Sequence, residues 1–137
     1  DHRDLHLSIR RQRQMCIRDS LLRAWYSYTL EDLDERIENA KIGLKRFPES
    51  SLLNNMMGYF MKDKGDLEAA KNHLQIYITA HPDEPNGYDS MGDILLASGD
   101  SLQAKKMYLK AYEMSRDLTT GPEDFFNTSK QKADALN

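Results

Sequence analysis

The sequence predicts an all-α solenoid of about three helix-turn-helix hairpins, closed by a C-terminal capping helix. Two observations carry this expectation. Residues recur at a fixed interval of 34: Gly58, Gly65, Asp66, Ala70 and Lys71 return as Gly92, Gly99, Asp100, Ala104 and Lys105, and the pairs Met57/Met91 and Pro48/Pro82 keep the same spacing. A period of this length is the mark of stacked supersecondary units rather than of one irregular core. Within each unit, apolar residues fall at three- and four-residue steps between glycine and proline punctuation, which is helical periodicity with one buried stripe.

The copies run over 17–50, 51–84 and 85–118. In the first, DLDERIENAKIGLKRFP at 32–48 aligns with DLEAAKNHLQIYITAHP at 66–82 of the second. In the second, SSLLNNMMGYFMKDK precedes a Lys-Gly-Asp turn and LEAAKNHLQIYITA follows it, with Leu53, Met57, Phe60, Met61 and then Leu67, Ala70, Leu74, Tyr77 and Ile78 on the inward stripe. Gly65 and Gly99 suit helix ends that need a left-handed residue, and Asp66 and Asp100 suit the starts of the helices that follow. Pro48 and Pro82 stop the second helices. Gly58 and Gly92 lie mid-helix, where glycine costs about 1 kcal/mol relative to alanine; their recurrence predicts close approach of a partner helix. The tail GPEDFFNTSKQKADALN opens on a Gly-Pro break and resumes a helical pattern through Phe125, Phe126, Ser129, Ala133 and Leu136. It is the expected cap over 119–137, with Phe125 and Phe126 inward and Lys130, Lys132 and Asp134 outward, since the open end of a repeat array needs a polar cover.

The first twenty residues, DHRDLHLSIRRQRQMCIRDS, break this pattern and fit poorly as a basic nucleic-acid arm, an Arg-rich transit peptide or a solvated helix. They resemble instead the in-frame translation of a transposase-library sequencing adapter. GAC CAC CGA GAT CTA CAC encodes residues 1–6, an index and one further base fill residues 7–9, CGT CGG CAG CGT CAG encodes 10–14, and ATG TGT ATA AGA GAC AG encodes 15–19 and opens Ser20. The expectation is that native protein begins at about Leu21. Adapter bases in the underlying DNA would bear this out, and different codons there would refute it.

That reading changes the composition. The whole chain of 137 residues carries 19 basic and 22 acidic residues; removing five and three of these leaves 14 against 19, a net charge of −5. The single cysteine, Cys16, also goes, which leaves neither a disulfide nor a thiolate metal site to expect. An acidic chain with no basic stripe is not expected to bind nucleic acid. No stretch reaches the roughly 20 apolar residues that span a bilayer, so no membrane span is expected. With the leader position overwritten, the sequence assigns no compartment.

Catalytic, cofactor and metal sites are not expected. His73 and His81 stand eight apart without a cysteine nearby, too few ligands for zinc. Ser90 lies in G-x-x-S-x-G rather than the G-x-S-x-G elbow, and Ser129 to Lys132 spells S-x-x-K without its companion motifs; both serines are read as helix-surface residues. The methionines at 56, 57, 61, 91, 107 and 114 are read mostly as core. Asp63, Asp66, Asp89 and Asp93 are read as exposed turn and groove residues.

The period and its small residues resemble the tetratricopeptide repeat (TPR) family. Along its repeat the family favours Trp, Leu, Gly or Ala, Tyr, Ala, an aromatic, Ala and Pro. The third copy places Tyr88, Met91, Gly92, Leu95, Ala104, Tyr108, Ala111 and Arg116 there, and the second Asn54, Met57, Gly58, Met61, Ala70, Leu74, Tyr77 and Pro82. Asn54, Tyr77 and Arg116 depart from the pattern, and in the first copy Arg36 replaces an alanine. The resemblance implies a non-catalytic module that binds a protein or extended peptide, or acts as a scaffold, through a groove lined by first helices: Leu52, Asn55, Tyr59, Lys62 and Asp63 from one copy, and Asn86, Asp89, Asp93, Leu96 and Ala97 from the next. Family members that clamp a terminal carboxylate use Lys, Asn and Arg there. Asp89 and Asp93 would repel one, so a neutral or basic peptide is expected. The alternative reading is an accessory C-terminal tail of a bacterial multidomain protein, because YDSMGD and AKKMYLKAYEM are similar to repeat tails that follow serine hydrolase or sensor domains.

Overall fold

A computed structural model describes residue 8 and residues 18–19, 22–116 and 123–136, the side chains of 123–126 excepted. The described residues form helices and no strand: α1 (22–29), α2 (Leu33–Arg46), α3 (Ser51–Lys64), α4 (Leu67–Ala80), α5 (Pro85–Ala97), α6 (Ser101–Arg116) and α7 (Glu123–Asp134). Consecutive helices pack as hairpins, α3 with α4 and α5 with α6. Each hairpin lies against the next through α2 on α3 and α4 on α5, and α3 also touches α5. The sequence-predicted all-α solenoid is the observed architecture. The expected inward positions Phe125 and Phe126 lie outside the described side chains.

Local chemistry explains the boundaries. Ser50, Asp66 and Asp32 cap α3, α4 and α2, each side-chain oxygen accepting a backbone N–H three residues on. Gly65 ends α3 at φ 88°, a left-handed conformation that costs a residue with a Cβ roughly 1 kcal/mol or more. The first hairpin lacks that glycine and turns differently. Arg36, which departs from the repeat pattern, donates from Nε to the Leu30 carbonyl at 2.6 Å and so occupies an acceptor at the end of α1.

The other departures are also compensated. Asn54 is buried, and its Nδ2 donates to the carbonyls of Pro48 and Ser50 at 2.9 and 3.0 Å, while its Oδ1 meets His73 Nδ1 at 3.0 Å. One repeat later the Tyr88 hydroxyl donates to the Pro82 carbonyl at 3.0 Å, so two different side chains satisfy the equivalent acceptor. Burial holds the His73 pKa below its ordinary value. Tyr77 donates to Glu84 at 2.7 Å; burial and that carboxylate push its pKa up.

The core runs continuously through Ala24, Ile37, Leu53, Met56, Met57, Phe60, Leu74, Tyr77 and Ile94, and a second cluster joins Ala104, Tyr108 and Ala133. The mid-helix glycine at 92 is explained by contact. A Cβ there would lie 2.6 Å from Tyr108 Cδ1, and at Gly58 the equivalent atom would lie 2.9 Å from Leu74 Cγ. In these two hairpins glycine lets the second helix close on the first.

Candidate functional site

The expected groove residues sit on α3 and α5, and the structure joins several of them in one polar network. On α3, Leu52, Asn55, Tyr59 and Lys62 step by three and four residues along one face, with Asp63 beside them and exposed. On α5, Asn86, Asp89, Asp93 and Leu96 do the same. Tyr59 bridges the helices: its hydroxyl donates to Asp93 Oδ2 at 2.8 Å and approaches Ser90 Oγ at 3.3 Å. Tyr108 of α6 donates to Asp93 Oδ1 at 2.8 Å.

The cap completes this network. From α7, Ser129 donates to Asp89 Oδ1 at 2.6 Å, while the Lys132 ammonium donates to Asp89 Oδ2 at 2.8 Å and Asp93 Oδ1 at 2.9 Å and lies 5.2 Å from the centre of the Tyr108 ring. Ser129, Lys132 and Ala133 occupy one stripe of α7 because they are three and four residues apart. That stripe faces inward, with Ser129 and Ala133 buried.

Several sequence expectations change here. Lys132 points inward rather than to solvent, because two carboxylates one helical turn apart on α5 need a cation once they leave water. Ser90 and Ser129 are buried at 2% and 3% exposure instead of lying on helix surfaces, and Asp89 is buried at 8%. Lys130 does face outward, pairing with Asp134 at 2.9 Å across one helical turn.

The electrostatics follow from this packing. Burial opposes ionisation of Asp93, but hydrogen bonds from Lys132, Tyr108 and Tyr59, with the ammonium charge, outweigh it and hold its pKa below the usual carboxylate range. Burial likewise opposes charging of Lys132, and its two carboxylates overcome this and raise its pKa. Burial first, and then the neighbouring carboxylate, push the hydroxyls of Tyr59 and Tyr108 up, so both remain donors. By formal charge, two aspartates and one lysine give the cluster a net −1. Above it the Lys62 ammonium lies 5.0 Å from the centre of the Tyr59 ring. Asn55 Oδ1 is a buried side-chain oxygen with no hydrogen-bond partner.

Among the described residues no group of three or more His, Cys, Asp or Glu is placed to hold a metal ion, and no helix is long and apolar enough to cross a membrane. His81 caps the end of α4, with Nε2 2.8 Å from the Glu49 carbonyl oxygen.

No protein-family model matches the sequence, and no curated protein matches it. Solved structures do match the fold. The first TPR domain of Spaghetti (RPAP3), solved with the HSP90 peptide SRMEEVD, superposes with a TM-score of 0.67 at 16% identity, over 85% of this chain and 92% of that one. The Yersinia enterocolitica type III secretion translocator chaperone SycD superposes with a TM-score of 0.76 at 13% identity, over 90% of this chain and 92% of that one. The chain has a TPR-like fold. At these identities the likeness is one of fold alone.

Within the TPR-like array, α7 packs on α6 as α5 packs on α4, so the cap takes the place of a further first helix. Ser90, Tyr108, Ser129 and Lys132 were not among the expected groove residues. The signal for them was present: an aspartate pair at i and i+4 on α5, and a serine-lysine pair at i and i+3 on the helix predicted to cover the array.

Proposed function

We propose that the chain is a non-catalytic TPR-like module that binds an extended protein segment along the first-helix face of Leu52, Asn55, Tyr59, Lys62, Asp63, Asn86, Asp93 and Leu96, with neutral or basic segments preferred. In the same reading, residues 1–20 lie outside the native domain, which is part of a longer protein. The observation that carries the binding reading is the polar row itself. Asn55 is half-buried on the same face as Tyr59 and its Oδ1 has no partner, so turning that amide outward to accept a peptide N–H breaks no existing bond of the oxygen. Main-chain hydrogen bonding of this kind suits an extended segment rather than a small molecule.

The charge preference rests on the residual −1 of the Asp89, Asp93 and Lys132 cluster. It is weaker than two free aspartates would give, because Lys132 already engages both. The Spaghetti domain's peptide, SRMEEVD, carries three acidic side chains against one arginine; the face described here favours the opposite balance. The non-catalytic assignment is supported by the Ser129 hydroxyl and the Lys132 ammonium. Both are committed to Asp89 and Asp93, which leaves the S-x-x-K spacing without an activated nucleophile.

Fluorescence anisotropy with two labelled peptides of equal length, one Lys/Arg-containing and one with Asp/Glu at those positions, tests this. The basic peptide is expected to bind several-fold tighter at low salt, with the difference shrinking as salt rises. Tighter binding of the acidic peptide would overturn the charge preference, and binding of neither would overturn the peptide-binding reading.

A further inference from the structure

The 34-residue register allows each surface position of the first hairpin to be compared with its equivalents in the next two. Leu22 aligns with Met56 and Ser90, and Tyr26 with Phe60 and Ile94. In the second and third hairpins these positions are sealed: Met56 is 0% exposed, Phe60 3%, Ser90 2% and Ile94 0%. In the first, Leu22 is 58% exposed and Tyr26 57%. The contrast extends to the neighbouring positions of α1, where Arg23 is exposed against the buried Met57 and Met91, but it spares the side that meets α2. Ala24, Gly58 and Gly92 are buried in all three copies, while Ile42 and Ile76 are exposed in both of the copies that have them.

The preceding hairpin does the sealing. Over α3, the backbone of α2 approaches so closely that a Cβ at Gly43 would lie 2.7 Å from Leu53 Cδ1, and Tyr28 of α1 meets the Phe60 ring edge-on at 6.0 Å. Over α5, Tyr77 and Ile78 of α4 lie against Gly87, and Tyr59 of α3 reaches Ser90. The same interface thus occurs twice, and α1 presents the receiving half of a third. The opposite end of the array carries α7, so head-to-tail stacking of a second copy would set α7 rather than a hairpin's second helix against α1.

We propose that the Leu22–Tyr26 face of α1 is the docking surface for a further hairpin of the same 34-residue type, carried by the natural polypeptide upstream of Leu21. This rests on the reading of residues 1–20 as foreign to the native domain. The incoming second helix sets small and apolar residues at the places that Leu74, Tyr77 and Ile78 hold ahead of α5. The hairpin makes the array longer and extends the first-helix face by one unit.

The experiment duplicates residues 51–84 in register between Cys16 and Ile17 of the full chain. Trp25→Phe with Tyr26→Trp moves the chain's single tryptophan onto the face as a probe. Relative to the unextended chain carrying the same probe, iodide quenching is expected to fall several-fold, the emission to shift to the blue, and helical circular dichroism to rise by the added hairpin. A probe that stays as accessible as before overturns the proposal. So does an insert that adds no helical signal, and so does an unextended chain whose probe is already shielded in a concentration-dependent, dimeric form. The source DNA separates this from its premise. Absence of adapter bases refutes the premise and with it the upstream hairpin, whereas adapter bases there, with the native gene encoding no such hairpin ahead of the Leu21 codon, refute the docking surface alone.

Discussion

Lys132→Met tests the central claim about the cap. The substitution removes the ammonium but keeps a flexible apolar stem that can still cover the Tyr108 ring. Lys132 lies 2.8 and 2.9 Å from two carboxylates, with 32% of its side chain exposed against 12% for Asp89 and 25% for Asp93. Removing one partner of a fully buried pair costs about 3–5 kcal/mol, whereas exposed pairs are worth about 0–1 kcal/mol. This site lies between those limits and involves two pairs, so the expected loss is about 2–3 kcal/mol. Followed by circular dichroism, the urea midpoint should fall by roughly 1–2 M if the denaturant slope is about 1.5–2 kcal/mol per molar. The Asp89→Asn, Asp93→Asn, Lys132→Met triple variant discharges the cluster while Asn at 93 keeps an amide oxygen to accept from one tyrosine hydroxyl and an NH2 to donate to the other. It should recover most of the loss, because replacing every member of a buried charge group is far milder than orphaning one. A loss below about 0.5 kcal/mol for Lys132→Met, or a triple variant less stable than the single one, would refute the reasoning.

The remaining predictions concern pH and the glycines. The folded-state pKa of Asp93 is depressed, so its contribution is fully present above its unfolded value near about 3.9 and is lost as pH falls through the lower folded value. The folded pKa of Lys132 is raised, so its contribution is fully present below about 10.4 and is lost as pH rises through the higher folded value. The stability gap between the native chain and Lys132→Met should therefore be widest across the neutral range and should narrow at both extremes in a pH series of urea melts. Gly92→Ala drives a Cβ into the Tyr108 ring and should cost about 1–3 kcal/mol despite alanine's better helix propensity. Gly65→Ala meets no neighbour and should cost only the left-handed backbone penalty, roughly 1 kcal/mol, so the two thermal midpoints should separate in that order.

The hairpins were legible because each boundary has a local cause. Gly65 and Gly99 need positive φ, Asp66 and Asp100 have side chains that cap, and the apolar stripe of α4 repeats every three or four residues along its own chain. The polar network was not, because it depends on which face of α7 meets α5. A lysine in a polar tail is ordinarily a solvated residue, so the sequence alone points Lys132 outward. Asp89 and Asp93 read as exposed groove residues for the same reason: a carboxylate's burial here depends on a partner some forty residues away. Arg36 shows the intermediate case. The sequence marked it as a departure from the repeat, but only the structure gives it the Leu30 carbonyl to bind.

The link between Lys132 and Asp89 spans 43 residues, a long reach in an array whose other pairings are mostly between neighbouring helices. Local pairings form quickly, whereas a distant one must wait for the intervening chain to be ordered. During synthesis the hairpins can assemble in the order they emerge, and the ammonium arrives last, when α5 is already in place. Until then the unfinished end displays the two carboxylates beside the apolar surface of Leu95, Ala104 and Tyr108 that the cap later covers. The same two aspartates are thus charged surface on an unfinished end first and the fastening of its final helix afterwards.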